Sequence, residues 1–284
     1  MEHVWDSHIH LFPQRLFQAI WDWFEGAGWE IPYSGADPET LTSQLQDTGA
    51  ERAFVLPYAH KPDISLELNR WLRDFCRDRP GLIPFASVHP EDENLERNLA
   101  TALDDWGFAG VKLQLAVLRI RADDPRLFPV YWAALQRQKP VVIHAGTAPY
   151  PQESPEYRCL GLERLKPVLE AMPRLRLVIP HLGMDQLDLA AHLLESYPGV
   201  HLDTSWALGN PLSGLDRSRA ESLMRAHPDR ILHGTDFPLI QHSPEDCLRE
   251  LRQLELEPQI RERILWKNAF RLVGLQDDSC AQAE

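Results

Sequence analysis

Cysteine is scarce in this chain: Cys76, Cys159, Cys247 and Cys280 are widely scattered among 284 residues and form no C-x-x-C pair. That argues against a disulfide framework and a cysteine zinc site, and makes a reducing cytoplasm the expected location. No apolar run approaches the ~18 residues of a membrane span, and no basic-apolar-small leader opens the sequence. Positive charge is also short. Lys and Arg number 29 against 42 Asp and Glu, for a net charge of −13. A surface of that sign repels nucleic acid and anionic membrane, so neither is an expected partner. What is present is a soluble globular composition, 44% hydrophobic and 25% charged. The length suits one (β/α)8 barrel, for which ~250 residues is usual, or two domains of ordinary size.

The pattern along the chain favours the barrel. Residues 4–11 alternate as a strand does, with Asp6, His8 and His10 on one face and Ser7 and Ile9 on the other. Further short apolar runs follow at 52–58, 82–89, 109–113, 140–145, 175–181, 200–204 and 230–236. Helical stretches fit between them: one begins at the Asp37-Pro38-Glu39 cap, with Leu41 and Leu45 as its apolar face. Others are expected at 65–78, 91–106, 126–139, 161–172, 185–197 and 216–227. The last begins at Ser243-Pro244-Glu245 and, with a break near Pro258, runs to about 273. Runs apolar on both faces belong to a parallel sheet covered by helices. Eight repeats predict an α/β fold, a closed (β/α)8 TIM barrel over 1–275, with 276–284 as a frayed tail. Residues 12–37, with Trp21, Trp23, Phe24, Trp29 and Tyr33 among glycines and prolines, read as a long loop with at most one helical turn. Such a loop packs onto the body of the barrel or serves as a lid over a site.

In these barrels the chemistry sits at the carboxyl ends of the strands. His8 and His10 end the first strand, His144 the fifth, His181 the sixth and Asp236 the eighth. On a strand, positions i and i+2 are only ~6.6 Å apart, so His8 and His10 can reach one ion. Four histidines and an aspartate converging on one rim from four strands point to a metal site.

These residues also carry a resemblance. Asp-x-His-x-His on strand one, His144 in Val-Ile-His-Ala-Gly, His181 in Ile-Pro-His-Leu-Gly, Asp236 in Gly-Thr-Asp-Phe-Pro and the closing Asn268-Ala-Phe-Arg-Leu all fit one pattern. Together they resemble the amidohydrolase superfamily, in particular its branch of metal-dependent hydrolases and aminocarboxymuconate-semialdehyde-type decarboxylases. The resemblance covers residues 4–275. It implies that His8, His10, His144 and Asp236 bind one divalent ion, commonly zinc, and that His181 polarises the bound water or the substrate. The residue types agree, since neutral imidazoles with one carboxylate suit zinc, and zinc lowers the pKa of bound water to about 7. Asp236 can then carry a proton to a leaving group.

Other residues are weighed singly. Related binuclear enzymes bridge two metals with a carboxylated lysine, and Lys112 stands at the end of strand four. A contact to a substrate anion, or an ordinary buried lysine, is the stronger reading of Lys112, and a single metal is expected. His89, ending strand three, reads as structural. His233, an odd number of residues from Asp236, should point away from the site. Arg158 and Tyr157, in the long loop after strand five that also holds Tyr150, and Trp206, beyond strand seven, are the other candidate substrate contacts. An arginine near the metal favours a carboxylate-bearing substrate, unless Arg158 is a solvated loop charge. The leading expectation is hydrolysis of a C–N or C–O bond in a small amide, lactone or ester. Metal-dependent non-oxidative decarboxylation of a small unsaturated or aromatic acid is the alternative. A barrel without catalysis is disfavoured by the complete ligand set. A small-molecule substrate is the expected partner, with a homodimer left open.

Overall fold

Each short apolar run becomes a strand that hydrogen-bonds the next in chain order, all in parallel. The computed structural model describes residues 2–147, 153–154 and 156–275. The strands are β1 (Trp5–Ile9), β2 (Arg52–Val55), β3 (Leu82–Ser87), β4 (Gly110–Gln114), β5 (Val141–His144), β6 (Leu177–Ile179), β7 (Val200–Asp203) and β8 (Ile231–Leu232). The expected 276–284 tail lies outside the described residues.

The ring closes between β1 and β8. Ser7 N donates to His233 O, His10 N to Phe237 O and Asp236 N to His8 O, at 2.7–2.8 Å. The side chain of Asp6 reinforces this seam, accepting from the Thr235 backbone N at 3.0 Å and the Thr235 hydroxyl at 2.6 Å. Gly234 lets the two segments approach, because a Cβ there would lie 2.9 Å from the Cβ of His8. The pairing of β1 with β2 shifts register between Asp6 and Ile9. This irregularity removes Asp6 from the simple alternation expected of the strand. Its carboxyl goes to the seam while His8 and His10 go to the rim.

Strands apolar on both faces are explained by two layers of packing. Outward residues such as Val111, Leu113, Ile143 and Leu202 pack beneath the helices. Inward residues Trp5, Phe54, Phe85, Val142, Val178 and Leu232 fill the lumen. The helices are α1 (Gln14–Gly26), α2 (Pro38–Asp47), α3 (Ser65–Cys76), α4 (Leu95–Ala100), α5 (Leu115–Leu118), α6 (Phe128–Gln136), α7 (Lys166–Ala171), α8 (Leu187–Ser196), α9 (Arg217–Ala226), α10 (Pro244–Gln253), α11 (Pro258–Glu262) and α12 (Asn268–Leu272). Ala269 and Leu272 of α12 join the inward cluster and stop one end of the lumen. The amide of Asn268 fixes that plug by donating to Pro228 O and Ile231 O. The other end is left to the strand termini. Among the described residues no helix is long and apolar enough to cross a membrane.

One expectation fails. Much of residues 12–37 is not loop: thirteen of them form α1. Phe17 and Trp21 sit one turn apart and are buried, their rings stacked at 5.0 Å. That packing overrides the weak helix propensity of aromatic residues.

Candidate metal centre

His8 lies in β1 and His10 directly after it. His10 Nδ1 stands 2.8 Å from the carbonyl oxygen of Leu56. A carbonyl only accepts, so Nδ1 carries the proton and Nε2 faces Asp236 Oδ1 at 2.9 Å. His8 Nδ1 lies 2.8 Å from Asp203 Oδ2, which fixes the same tautomer. Its Nε2 stands 3.3 Å from the same Asp236 oxygen. The ligand atoms of His8, His10 and Asp236 all lie within 4.8 Å of one another. Two ring nitrogens and a carboxylate oxygen aimed at one point repel unless a proton or metal ion sits between them. The set fits a divalent ion.

The electrostatics agree with a ligand role. Burial, then the charge of Lys112, holds His8 well below the usual imidazole range, so it remains neutral. Burial pushes Asp236 upward, but the rings of His10, His181 and His8 around it, through any positive charge placed on or between them, outweigh it. Its pKa falls below the ordinary carboxylate range, and it stays ionised. Asp6 differs: burial pushes it up to about 7, against hydrogen bonds from Thr235 and the His8 backbone.

His144 ends β5 and His181 follows β6. His181 Nε2 and His144 Nδ1 are 3.2 Å apart. His181 Nδ1 is 2.9 Å from Ser205 O, so it bears a proton and leaves Nε2 as the acceptor. His144 Nδ1 then donates, and His144 Nε2 carries a lone pair. Burial, then the charges of His181 and Lys112, keeps His144 well below the usual range. The structure brings His144 and His181 together at the same rim, outside the close triplet.

Sequence reasoning missed the carboxylate behind this rim. Asp203, fully buried at the end of β7, holds His8 through one oxygen. Its other oxygen accepts from the backbone N of His181 at 3.1 Å and from the Ser205 hydroxyl. That hydroxyl also lies 2.9 Å from His181 Nδ1. One carboxylate and one hydroxyl thus orient imidazoles from two strands. The signal was available, since Asp203 ends an apolar run as His144 does.

Three rim residues take left-handed backbone: His181 at φ 59°, Trp206 at 56° and Asp236 at 74°. Non-glycine residues avoid this region, and such strain gathers where a side chain must be aimed.

Above the rim is a cavity of about 810 Å³, lined by His10, His144, His181, Asp236 and Trp206 near the ligands. Lys112 lies beneath, buried in the middle of β4, with Nζ 3.2 Å from His8 Nε2. Burial holds its ammonium down to about 8, against the pull of Asp236 and Asp203. Tyr157 and Arg158 lie on a single 3-10 turn, Tyr157–Cys159, and neither is among the lining residues. Arg158 is exposed. Tyr150 lies outside the described residues. His89 is buried beside its own loop, where its Nδ1 accepts from Glu91 N at 3.2 Å. His233 is buried at the seam.

A family model described as Amidohydrolase matches residues 5–275. The chain belongs to the amidohydrolase family. The matched span of this amidohydrolase includes every residue that builds the rim. No curated relative matches its sequence. Solved structures share the fold over nearly the full length of both chains. A 5-carboxyvanillate decarboxylase from Novosphingobium aromaticivorans, complexed with manganese and 4-hydroxy-3-methoxy-5-nitrobenzoic acid, is 15% identical with a TM-score of 0.71, covering 96% of each chain. A 2,6-dihydroxybenzoate decarboxylase from Rhizobium is 18% identical with a TM-score of 0.68, covering 96% of this chain and 99% of that one. A 4-oxalomesaconate hydratase from Rhodopseudomonas palustris is 16% identical with a TM-score of 0.66, covering 95% of each. At these identities the likeness is one of fold.

A first prediction concerns Asp203 of this amidohydrolase. Asp203→Asn should lower divalent-metal affinity by about 10–100-fold, because an amide no longer enforces the Nδ1–H tautomer of His8. Competition with a chelator measures it, and circular dichroism checks the fold. Unchanged affinity would reduce Asp203 to a brace between β7 and β1.

Proposed function

We propose that this amidohydrolase is a metal-dependent decarboxylase of a small aromatic or unsaturated acid. His8, His10 and Asp236 would hold one divalent ion, with the lone pair of His144 Nε2 as the fourth ligand. Zinc is our first choice for two or three imidazoles and a carboxylate, and manganese is the alternative. The sequence alone ranked hydrolysis first. The observation that reverses the order is the cavity: its walls are mainly apolar and rich in aromatic side chains, with His10, His144, His181 and Asp236 at the rim and, elsewhere in its described lining, only His60 and the Arg119–Glu156 pair charged or basic. The presence of decarboxylases among the fold neighbours lends the reading support.

The bound metal would supply a Lewis acid that fixes and polarises the oxygen atoms of the acid. The apolar walls, including Trp206 and Met184, exclude water from the carboxylate. Stripping that hydration raises the energy of the anion relative to departing neutral carbon dioxide. As the C–C bond breaks, its electron pair stays on the ring carbon and must take up a proton. His181 is positioned for this. Its ring lines the cavity and its orientation is set by Ser205, with Nε2 as the basic nitrogen; a proton taken up there, in place of the one accepted from His144 Nδ1, can be delivered to that carbon. Lys112, beneath the ligands, adds positive charge near the substrate's anionic group.

The test incubates metal-loaded enzyme with hydroxylated benzoic acids, unsaturated diacids, lactones and amides. Release of carbon dioxide from an aromatic or unsaturated acid is the expected result. Ring opening of a lactone or cleavage of an amide, without carbon dioxide from any acid, returns the assignment to hydrolase.

A further inference from the structure

The ligands account for only the floor of the cavity. Its far wall is α1, whose apolar residues are divided between two faces. Phe17 and Trp21 are buried in the core. Leu16, Ile20, Trp23 and Phe24, at helical spacing on the other side, face the cavity. Trp23 is 57% exposed, among the largest uncovered apolar side chains of the described residues. An apolar stripe turned toward a metal floor, half-buried at Leu16, Ile20 and Phe24 and uncovered at Trp23, marks a surface for an apolar ligand.

Charge is missing from the same wall. Among the described residues the only Lys or Arg lining the cavity is Arg119. Its guanidinium is paired with Glu156, Nη2 to Oε1 at 3.0 Å, and Glu156 also lines the cavity. Residues 148–152 and 155 bring no cation, since their sequence is Ala-Pro-Tyr-Pro-Gln and Pro. A second anionic group on a substrate would therefore meet aromatic rings, neutral polar groups such as Gln114 and Ser154, or the Glu156 carboxylate, with no unpaired Lys or Arg among the described lining residues, and desolvating it there is unfavourable.

We propose that the substrate has one anionic group, seated at the metal ligands, and an extended uncharged aromatic body that lies against α1. Dicarboxylates are excluded by the same wall. This deepens the decarboxylase reading and rests on its placement of the acid at the metal. The binding preference does not depend on the reaction.

The test measures equilibrium binding to metal-loaded protein by titration calorimetry, with three probes: benzoate, 2-naphthoate and naphthalene-2,6-dicarboxylate. 2-Naphthoate should bind about tenfold more tightly than benzoate, the gain from burying on the order of 50 Å² more apolar surface. The dicarboxylate should bind at least tenfold more weakly than 2-naphthoate. Trp23→Ala should remove most of the naphthoate advantage and leave benzoate nearly unchanged. Trp23 is exposed, so this variant is not at risk of misfolding. Glu156→Gln, which releases Arg119, should strengthen dicarboxylate binding several-fold. The proposal is overturned if 2-naphthoate gains nothing over benzoate, if the dicarboxylate binds as tightly as 2-naphthoate, or if Trp23→Ala weakens both monoacids equally. If the ranking holds while no acid releases carbon dioxide, the substrate class stands and the reaction assignment falls.

Discussion

Replacing His8 and His10 together with alanine should leave a folded barrel that retains almost no divalent metal and shows no turnover. These rings supply two of the three ligand atoms that converge within 4.8 Å. Both tautomers are set by acceptors outside the site, Leu56 O and Asp203 Oδ2, so no neighbouring ring can simply turn in to replace them. The seam itself is carried by backbone hydrogen bonds and by Asp6, which the double variant keeps. Circular dichroism should therefore stay close to that of the parent protein while metal analysis falls toward zero. The parent protein, purified with bicarbonate and excess zinc, should hold one metal per chain. Full metal content in the variant would dismiss the site, and two metals in the parent would restore Lys112 as a carboxylated bridge.

The second large effect divides labour between His181 and Asp236. His181→Asn should reduce kcat by about 10²–10⁴-fold while leaving metal content nearly intact, the usual size of a lost proton carrier or polarising contact. The geometry supports this division. His181 Nε2 engages His144 at 3.2 Å, whereas Asp236 Oδ1 lies 2.9 Å from His10 and 3.3 Å from His8. Asp236→Asn should damage both metal retention and rate, because it removes the negative charge among the imidazoles. Metal stoichiometry and kcat measured side by side decide the matter. If His181→Asn sheds metal as completely as the double histidine variant, His181 is itself a ligand and the separate proton carrier is wrong.

The rim was legible because its residues announce themselves locally. A histidine ending an apolar run, as in Val-Val-Ile-His144, carries both the strand and the chemistry in one short stretch. The α10 boundary was equally plain, because the Ser243 side chain and the Asp246 backbone and carboxylate close a reciprocal capping box. Asp203 was not recognised because its role depends on β1, almost two hundred residues away, bringing His8 within 2.8 Å. Helix α1 was obscured differently. Pro13 precedes it in place of a polar cap, and four aromatic side chains mask a stripe that was nonetheless at helical spacing. Tyr157 and Arg158 are candidate substrate contacts because their loop follows a strand that ends at the rim, but they are not among the described lining residues of the cavity. The cavity instead takes Arg119, which left-handed backbone at φ 53° places at its edge.

The closure of β1 on β8 has a consequence in time as well as in space. His10 and Asp236 are separated by 226 positions in the chain. At about 5–20 residues per second, the ribosome needs on the order of 10–45 s to deliver the aspartate after the histidines have emerged. Through that interval the first strand has no partner on one edge, and the α12 stopper of the lumen has not yet been made. The nascent protein thus lacks the carboxylate of its ligand set and the residues that close the base of its interior. Exposed apolar surface and an unpaired strand edge favour association, and pairing of β1 with β2 covers one of the two edges. Competence then arrives all at once: the last strand completes the ring, the ligand set and the catalytic mouth in a single event. A ribosome-stalled chain ending before residue 230 should therefore fail to retain divalent metal tightly, however much of the barrel it has already built.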